Sequence, residues 1–345
     1  METSNPHTAE FSPNTTSHRP QMRLAQTFHL GVQDRLLRLS EASMSARIRL
    51  IVAAFAVAAS LTYMASQSLP VAPAGVKVNV PFFANDAHDK PVLDVTLADV
   101  TILDDKEPPQ SALGIRPATE LPLRLGVLIG TNGSQSRSGI YRVEVEAASE
   151  FLTKVLNGTD DKAFVEKFGF PSATEFLTKE DLRTVKLDVV PYGPSVLYDA
   201  IDFACDERMK KDPLQLSRRV LVLVVDGHDN ASHADKSKAI ASAQEAGAVM
   251  FIVSSFDRTG LGDDDLLKEF ADQTGGIAFL QLSRKDIPGV FATIKEQIDN
   301  MRVLSYVPTG SLRSGQRRSF KLKAASNRKL KLRAPKAFYL NVAAP

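Results

Sequence analysis

The sequence predicts an α/β fold with a doubly wound, mostly parallel sheet. Over residues 123–155, an apolar strand-like run enters a loop of small residues and then a helical pattern. The run of apolar, mostly branched residues at 219–225 is typical of a strand that is buried on both faces. Strands and helices alternate from there to Asn300, which is the pattern of an open sheet with helices on both sides.

The first strand–loop–helix unit marks the expected binding edge of this sheet. Val127 and Ile129 belong to the apolar run, and the loop Gly130–Ser136 contains only small or polar residues. Open α/β sheets bind ligands outside the carboxyl ends of their strands, so we expect this loop to lie at a binding site. The helix that follows is indicated by apolar residues near a four-residue spacing: Ile140, Val143, Ala147, Phe151 and Val155.

The later elements of the α/β region follow from the same patterns. Strands are predicted at 162–170, 219–225, 249–254 and 277–282, and helices at 195–210, 235–246, 263–273 and 284–300. Thr178 and Asp181 match a helix capping box in which Asp replaces the usual Glu or Gln. Cys205 is the only cysteine, which excludes an intrachain disulfide, and it falls on an apolar helix face as an inert core thiol would.

The N-terminal residues resemble a targeting segment. Residues 1–43 are rich in small and polar residues and are predicted to be a disordered tail or a misplaced translation start. Residues 44–68 combine arginines, an apolar run and small residues, which are the parts of a signal peptide. We therefore predict an exported protein (periplasmic, cell-surface or secreted) whose signal peptide starts near Met44. The alternative is a single-pass membrane protein that is anchored by residues 48–66.

Two small β-rich segments are predicted on either side of the α/β region, which is expected to span residues 121–300. A lead-in over residues 75–120 contains strand-like runs at 76–80, 92–95 and 100–103, separated by turn residues. The C-terminal segment, residues 301–345, contains strand-like runs at 303–307, 319–324 and 329–333 and has no acidic residue after Ser311. Its alternating apolar and basic residues indicate half-buried strands, and binding of an anionic lipid or polysaccharide surface is an additional expectation.

Three stretches at expected strand ends carry a family resemblance. They are Gly130-Thr-Asn-Gly-Ser134, Tyr192-Gly-Pro-Ser-Val-Leu-Tyr-Asp-Ala200 and Val224-Val-Asp-Gly-His-Asp-Asn-Ala-Ser232. Together they resemble the von Willebrand factor type A domain, and from about Gly75 onwards the chain looks closest to the VWFA-related acidobacterial family. The resemblance implies a Rossmann-like fold that is used for protein binding.

The resemblance also implies a metal-ion-dependent adhesion site for Mg²⁺ or Mn²⁺. The family pattern is D-x-S-x-S, followed by a Thr and later by an Asp, and such oxygen ligands suit these hard ions. Asn132, Ser134, Ser195 and Asp226 take the ligand positions in this chain, whereas Gly130 replaces the first Asp. Because one carboxylate is missing, we expect the metal to bind weakly or not at all.

The predicted function is therefore an exported, non-enzymatic protein-interaction or adhesion module. We expect a protein partner that offers a carboxylate or a loop to the rim formed by Gly130–Ser136, Gly193–Leu197 and Asp226–Ser232, and we expect no nucleic acid. One alternative is a hydrolase or nucleotide-binding enzyme that uses the same rim, although the sequence has neither a G-x-S-x-G elbow nor a P-loop there. The other is a structural envelope protein without an open site.

Two further hypotheses concern the polar residues near the rim. A zinc site would use residues of the third loop, although their spacing matches no common zinc motif. Ser195 could instead be the N-cap of the helix that follows it, and Asp235 the N-cap of the next one. The zinc candidates are Asp226, His228, Asp229, His233 and Asp235.

Overall fold

The computed structural model describes residues 76–131, 140–168, 172–183, 187, 193–214, 216–255, 262–325 and 328–340. Its strands are β1 (Val78–Asn85), β2 (Val100–Asp104), β3 (Ser111–Pro117), β4 (Leu123–Gly130), β5 (Lys162–Phe168), β6 (Ser172–Ala173), β7 (Arg218–Val224), β8 (Ala248–Ser255), β9 (Ala278–Leu282), β10 (Arg302–Val307), β11 (Arg317–Ala324), β12 (Lys331–Arg333) and β13 (Ala337–Tyr339). Its helices are α1 (Tyr141–Val155), α2 (Lys179–Leu182), α3 (Leu197–Phe203), α4 (Lys236–Ala246), α5 (Asp264–Thr274) and α6 (Ile287–Asp299).

The central sheet confirms the predicted α/β fold class. Its strand order is β6-β5-β4-β7-β8-β9. The neighbours from β5 to β9 pair in parallel, and the short edge strand β6 is antiparallel to β5. Parallel neighbours need a crossover between them, and helices provide most of these connections.

Helices cover both faces of this sheet, which explains the continuous apolar runs of its strands. Every residue of β4 is buried, and successive side chains enter different cores. Val127 and Val222 belong to the core on the side of α1 and α6. Leu128 and Leu221 belong to the core on the side of α3, α4 and α5.

Side-chain capping sets the N-termini of three of the helices named above: α2, α4 and α5. Asp235 caps α4 by accepting a hydrogen bond from the Lys238 backbone N at 2.8 Å, as the sequence predicted. The helix after the second loop differs, because its N-cap is Val196 and α3 begins at Leu197. The alternative prediction of Ser195 as this N-cap is therefore wrong. A π-helical stretch, Ala204–Met209, continues α3 and contains the fully buried thiol of Cys205.

The lead-in and the C-terminal segment interleave as two antiparallel sheets around a shared apolar core. One sheet has the order β12-β1-β10-β3 and the other has the order β13-β11-β2. β10 thus lies between two lead-in strands, and β11 pairs with β2. The core between the sheets includes Val80, Phe82, Ile102, Leu304, Tyr306 and Phe320.

Basic side chains of the C-terminal segment pair with carboxylates that lie outside this segment. Arg318 contacts Asp104 at 2.7 Å, and both side chains are buried. Further pairs include Arg328 with Asp94, Lys331 with Asp89, and Arg333 with Asp272. Part of the positive charge therefore joins the segment to the rest of the protein, while binding to an anionic surface stays a prediction.

The predicted signal peptide or anchor at residues 44–68 lies outside the described residues. Within the part of the chain that the structure describes, no helix has both the length and the apolar character needed to cross a membrane.

Candidate functional site

The candidate site lies at the topological switch point of the central sheet, where the order of the strands reverses. From β4 the chain passes through α1 to β5 on one side, whereas β7, β8 and β9 follow on the other side of β4. Ile129 of β4 is paired with Val224 of β7 near the carboxyl ends of both strands. Such a switch point leaves a crevice beyond the strand ends, where open α/β sheets bind ligands. Thr131 follows β4 and Asp226 follows shortly after β7, so both lie at this crevice.

The first predicted loop is described only at its beginning. Thr131 is buried, and its backbone N and its hydroxyl donate hydrogen bonds to the carbonyl of Phe168 at 3.1 and 2.7 Å. Residues 132–139 lie outside the described part of the chain. The ligand positions of Asn132 and Ser134 are among them and therefore stay predictions.

The second and third loops are hydrogen-bonded to each other. The backbone carbonyl of Ser195 accepts from the backbone N of Asn230 and of Ala231, each at 3.1 Å. The Ser195 backbone N donates to the side-chain oxygen of Asn230 at 3.0 Å. Further along, the Tyr198 backbone N donates to the Asp229 carboxylate at 3.0 Å. These contacts join both loops into one polar surface at the carboxyl edge of the sheet.

Ser195 and Asp226 meet at the backbone of His228. The Ser195 hydroxyl donates to the His228 carbonyl, and the His228 backbone N donates to Asp226 Oδ1 at 3.1 Å. A hydroxyl that donates its proton keeps its oxygen lone pairs available for a cation. These two oxygens are of the type that Mg²⁺ and Mn²⁺ prefer, and Asp226 supplies one carboxylate.

The structure of the described residues argues against two alternatives, a nucleophilic serine and a zinc site. The Ser195 hydroxyl bonds to a backbone carbonyl, whereas a nucleophilic serine requires a basic group such as a histidine ring nitrogen. The ring of His233 is almost fully exposed and lies 3.1 Å from the Asp199 carboxylate. Among the residues that the structure describes, no three His, Cys, Asp or Glu side chains are grouped to hold a metal ion. The zinc hypothesis therefore has no support from the third loop.

Sequence reasoning missed Glu144, a buried carboxylate beside the rim. Glu144 is only 1% exposed although it lies on the first turn of α1, where it faces the sheet. Burial raises its pKa to about 7, hydrogen bonds from the hydroxyl and backbone N of Ser255 oppose this shift, and the negative charge of Asp226 adds to it. The signal in the sequence was a charged residue on the apolar face of a predicted helix, one turn after Ile140.

Comparisons with known proteins find similar folds only among solved structures. No family model matches the sequence, and no curated protein does. A von Willebrand factor type A structure from Catenulispora acidiphila shares 12% identity with a TM-score of 0.44, over 79% of this chain and 76% of that chain.

Two further structures show the same kind of similarity over about half of their own length. The mussel byssus proximal thread matrix protein 1, in a form with a zinc-occupied MIDAS motif, shares 14% identity with a TM-score of 0.43, over 56% of this chain and 50% of that chain. The pilus adhesin SpaC of Lactobacillus rhamnosus GG shares 7% identity with a TM-score of 0.41, over 74% of this chain and 49% of that chain.

Proposed function

We propose that this chain is a von Willebrand factor A-like interaction module that binds a protein partner at the rim. The observation that carries the proposal is the convergence of the Ser195 hydroxyl and the Asp226 carboxylate on His228, at the switch point of the sheet. Polar groups held at such a crevice offer directed contacts to a loop or a carboxylate of a partner. The proposed role is non-enzymatic.

A divalent ion, Mg²⁺ or Mn²⁺, is a proposed component of this rim. Asn132, Ser134, Ser195 and Asp226 would hold it, and the bound ion would attract a carboxylate of the partner. Because Gly130 stands where the family pattern has an Asp, these four residues supply only one carboxylate. We therefore expect weak binding from this ligand set alone.

The remaining parts of the proposal rest on the sequence. Export through a signal peptide near Met44 would place the rim outside the cytoplasm, in the envelope or beyond it. We also propose the division into a lead-in at 75–120, the interaction module at 121–300 and the basic segment at 301–345. Membership in the VWFA-related acidobacterial family stays a prediction.

The test is capture of partners from a cell-envelope extract by the purified protein, with and without a chelator. The Asp226→Ala variant removes the carboxylate at the rim. The Asp160→Ala variant is the matched control, because Asp160 is exposed and precedes β5 at the opposite edge of the sheet. We expect Asp226→Ala to lose partners that the wild type and Asp160→Ala both retain.

Two results would contradict the proposal. An unchanged partner set for Asp226→Ala would show that the rim is not the contact surface, as in a structural envelope protein. Stabilisation of the protein by a nucleotide, measured as a rise in the unfolding midpoint, would favour the enzymatic alternative, because a ligand that binds only the native state raises that midpoint.

A further inference from the structure

A cleft lies between the α/β region and the flanking sheets, at the end of the central sheet opposite the rim. Its volume is about 200 Å³. The first residues of β7 and β8, Arg218 and Ala248, belong to its lining, whereas the rim follows the last residues of the parallel strands. The cleft therefore shares no residue with the proposed partner-binding surface.

The walls of the cleft are mostly apolar. Val80 of β1 enters the core between the flanking sheets, so Pro81, on the other face of the strand, is turned towards the α/β region. Tyr339 of β13 and Leu216, which precedes β7, add further apolar surface. The side chain of Leu216 is 51% exposed, although it is large and apolar. A ligand with an apolar body would gain free energy by covering these walls, and small-ligand sites often lie between two structural units.

The charged side chains of the lining are mainly basic. Lys77, Arg218 and Arg219 belong to it, and Glu245 is its acidic residue. Glu245 is already paired with Lys210 at 2.9 Å. Neither Lys77 nor Arg219 forms an ion pair with another residue that the structure describes. The lining thus carries positive charge that is not fully compensated from within the described chain.

Arg219 bonds only to neutral oxygens. Its guanidinium donates to the carbonyls of Ala246 at 2.9 Å and Leu214 at 3.2 Å, and to the hydroxyl of Ser217 at 3.3 Å. Burial lowers the pKa of Arg219, and the negative charge of Asp212 only partly opposes this shift. Because a guanidinium has five N–H donors, two of them remain for a ligand. An anion in the cleft would compensate this partly buried charge.

We propose that the cleft binds a small amphipathic anion, namely a carboxylate with an apolar body such as a short acyl chain. The apolar walls would hold the body, and Lys77 and Arg219 would attract the carboxylate, whose two oxygens match a guanidinium well. An apolar cavity of about 150 Å³ holds benzene, so a cleft of about 200 Å³ has room for a body of that size or slightly larger. This site is additional to the proposed function and uses no residue of the rim.

The experiment is calorimetric titration of the full-length protein with octanoate and three related probes. Octan-1-ol keeps the apolar body without the charge, acetate keeps the charge without the body, and octyltrimethylammonium reverses the charge. We expect octanoate to bind at least about tenfold more tightly than each of the others, because a charged hydrogen bond and apolar burial each contribute. Octanoate should also raise the midpoint of thermal unfolding.

Two variants with matched controls locate the bound octanoate. Leu216→Asn removes apolar surface from the cleft, and Leu113→Asn is its control, because Leu113 is 46% exposed on β3, outside the lining. Lys77→Met removes a charge, and Lys323→Met is its control on the exposed face of β11. All four side chains are exposed, so folding should be little affected. We expect about three- to tenfold weaker binding for Leu216→Asn and Lys77→Met, and unchanged binding for both controls.

Three outcomes would overturn the inference. Absence of octanoate binding by the wild type would remove the site, and equal affinity for octan-1-ol would make the cleft a purely apolar pocket. Unchanged affinity in both Leu216→Asn and Lys77→Met would place the octanoate elsewhere on the protein. Partner capture by the rim is tested on other residues, so the two proposals fail separately.

Discussion

Glu166 is a buried carboxylate whose ionisation should oppose folding. It lies on β5, is 3% exposed and shares its core with Phe164 and Phe168, while its Oε2 has no hydrogen-bond partner. Burial raises its pKa to about 8, and the positive charge of Arg208 only partly opposes this shift. In the unfolded chain the pKa of this carboxyl returns to its ordinary value near 4.5. Between these two values the folded protein holds a proton that the unfolded chain releases.

The sign of the resulting pH dependence follows from this difference in bound protons. As the pH rises from about 4.5 towards 8, the contribution of Glu166 to the free energy of unfolding falls by up to about 1.4 kcal/mol per pH unit. The Glu166→Gln variant should therefore gain stability over the wild type across this range. Urea unfolding at several pH values measures the difference, with Glu150→Gln on the exposed side of α1 as the control. A constant difference across the range would contradict the prediction.

The turn between α5 and β9 requires a glycine because of the space available. A Cβ atom at Gly276 would lie 1.9 Å from the carbonyl oxygen of Met250, on the neighbouring strand β8. This strand is buried between helices and cannot shift without disturbing both cores. We expect Gly276→Ala to lower the free energy of unfolding by about 3 kcal/mol.

A second glycine provides the control for this prediction. Gly289 lies in α6, and a Cβ atom there would have no neighbour within 4 Å. Gly289→Ala should therefore be neutral or stabilise the protein by up to about 1 kcal/mol, because alanine is the better helix former. Circular dichroism during urea unfolding compares the two variants. Equal stabilities would show that the chain near Gly276 relaxes without cost.

Local patterns in the sequence predicted the α/β elements better than the flanking strands. The strands β4, β5, β7 and β8 are long apolar segments that are buried on both sheet faces. The predicted strand at residues 92–95 does not form, because its contact with β1 ends at the single bridge between Asn85 and Pro91. The end of β1 pairs with β12 from the far end of the chain instead. β3 was not predicted, since it is a half-exposed edge strand without an alternating pattern.

The candidate site, too, could be predicted only in part from the sequence. Parallel strand order was sufficient to place Asp226 at this edge, because the loops after parallel strands emerge on the same side. Ser195 precedes α3 and reaches this edge through the hydrogen bonds of its backbone to Asn230 and Ala231. The hydrogen bonds through His228 could not be predicted, since they depend on the conformation of the third loop. Glu144 was not predicted as a site residue, because it is a single charged residue on the otherwise apolar face of a helical pattern.

At the scale of the whole molecule, the α/β region is inserted between strands of the flanking β-structure. The chain leaves the flanking sheets after β3, forms the central sheet, and returns through α6 to β10, which pairs with β3. The two ends of the α/β region are thus held by adjacent strands. The flanking sheets need both halves of the chain, because β10 lies between β1 and β3, and β11 provides the pairing partner of β2.

The buried pair of Asp104 and Arg318 joins these halves and allows a direct test of their dependence. Asp104 is 1% exposed, lies 2.7 Å from the Arg318 Nε and accepts a hydrogen bond from the Tyr306 hydroxyl at 3.2 Å. Asp104→Ala would leave the buried guanidinium of Arg318 with the more exposed Asp105, at 3.4 Å, as its remaining carboxylate, and with the carbonyl of Thr309, at 3.3 Å. We expect a loss of about 3 kcal/mol in the free energy of unfolding, because removing one member of a buried ion pair leaves the other charge buried without that partner.

A double variant and an exposed pair make this last prediction specific. Asp104→Leu combined with Arg318→Met removes both charges and should cost less than Asp104→Ala alone, because no charge stays buried. Asp94→Ala removes the exposed partner of Arg328 and should cost less than about 1 kcal/mol. The protein has no tryptophan, so far-ultraviolet circular dichroism during urea unfolding is the suitable measurement. If Asp104→Ala and Asp94→Ala were equally mild, the buried pair would not be what holds the C-terminal segment against the lead-in.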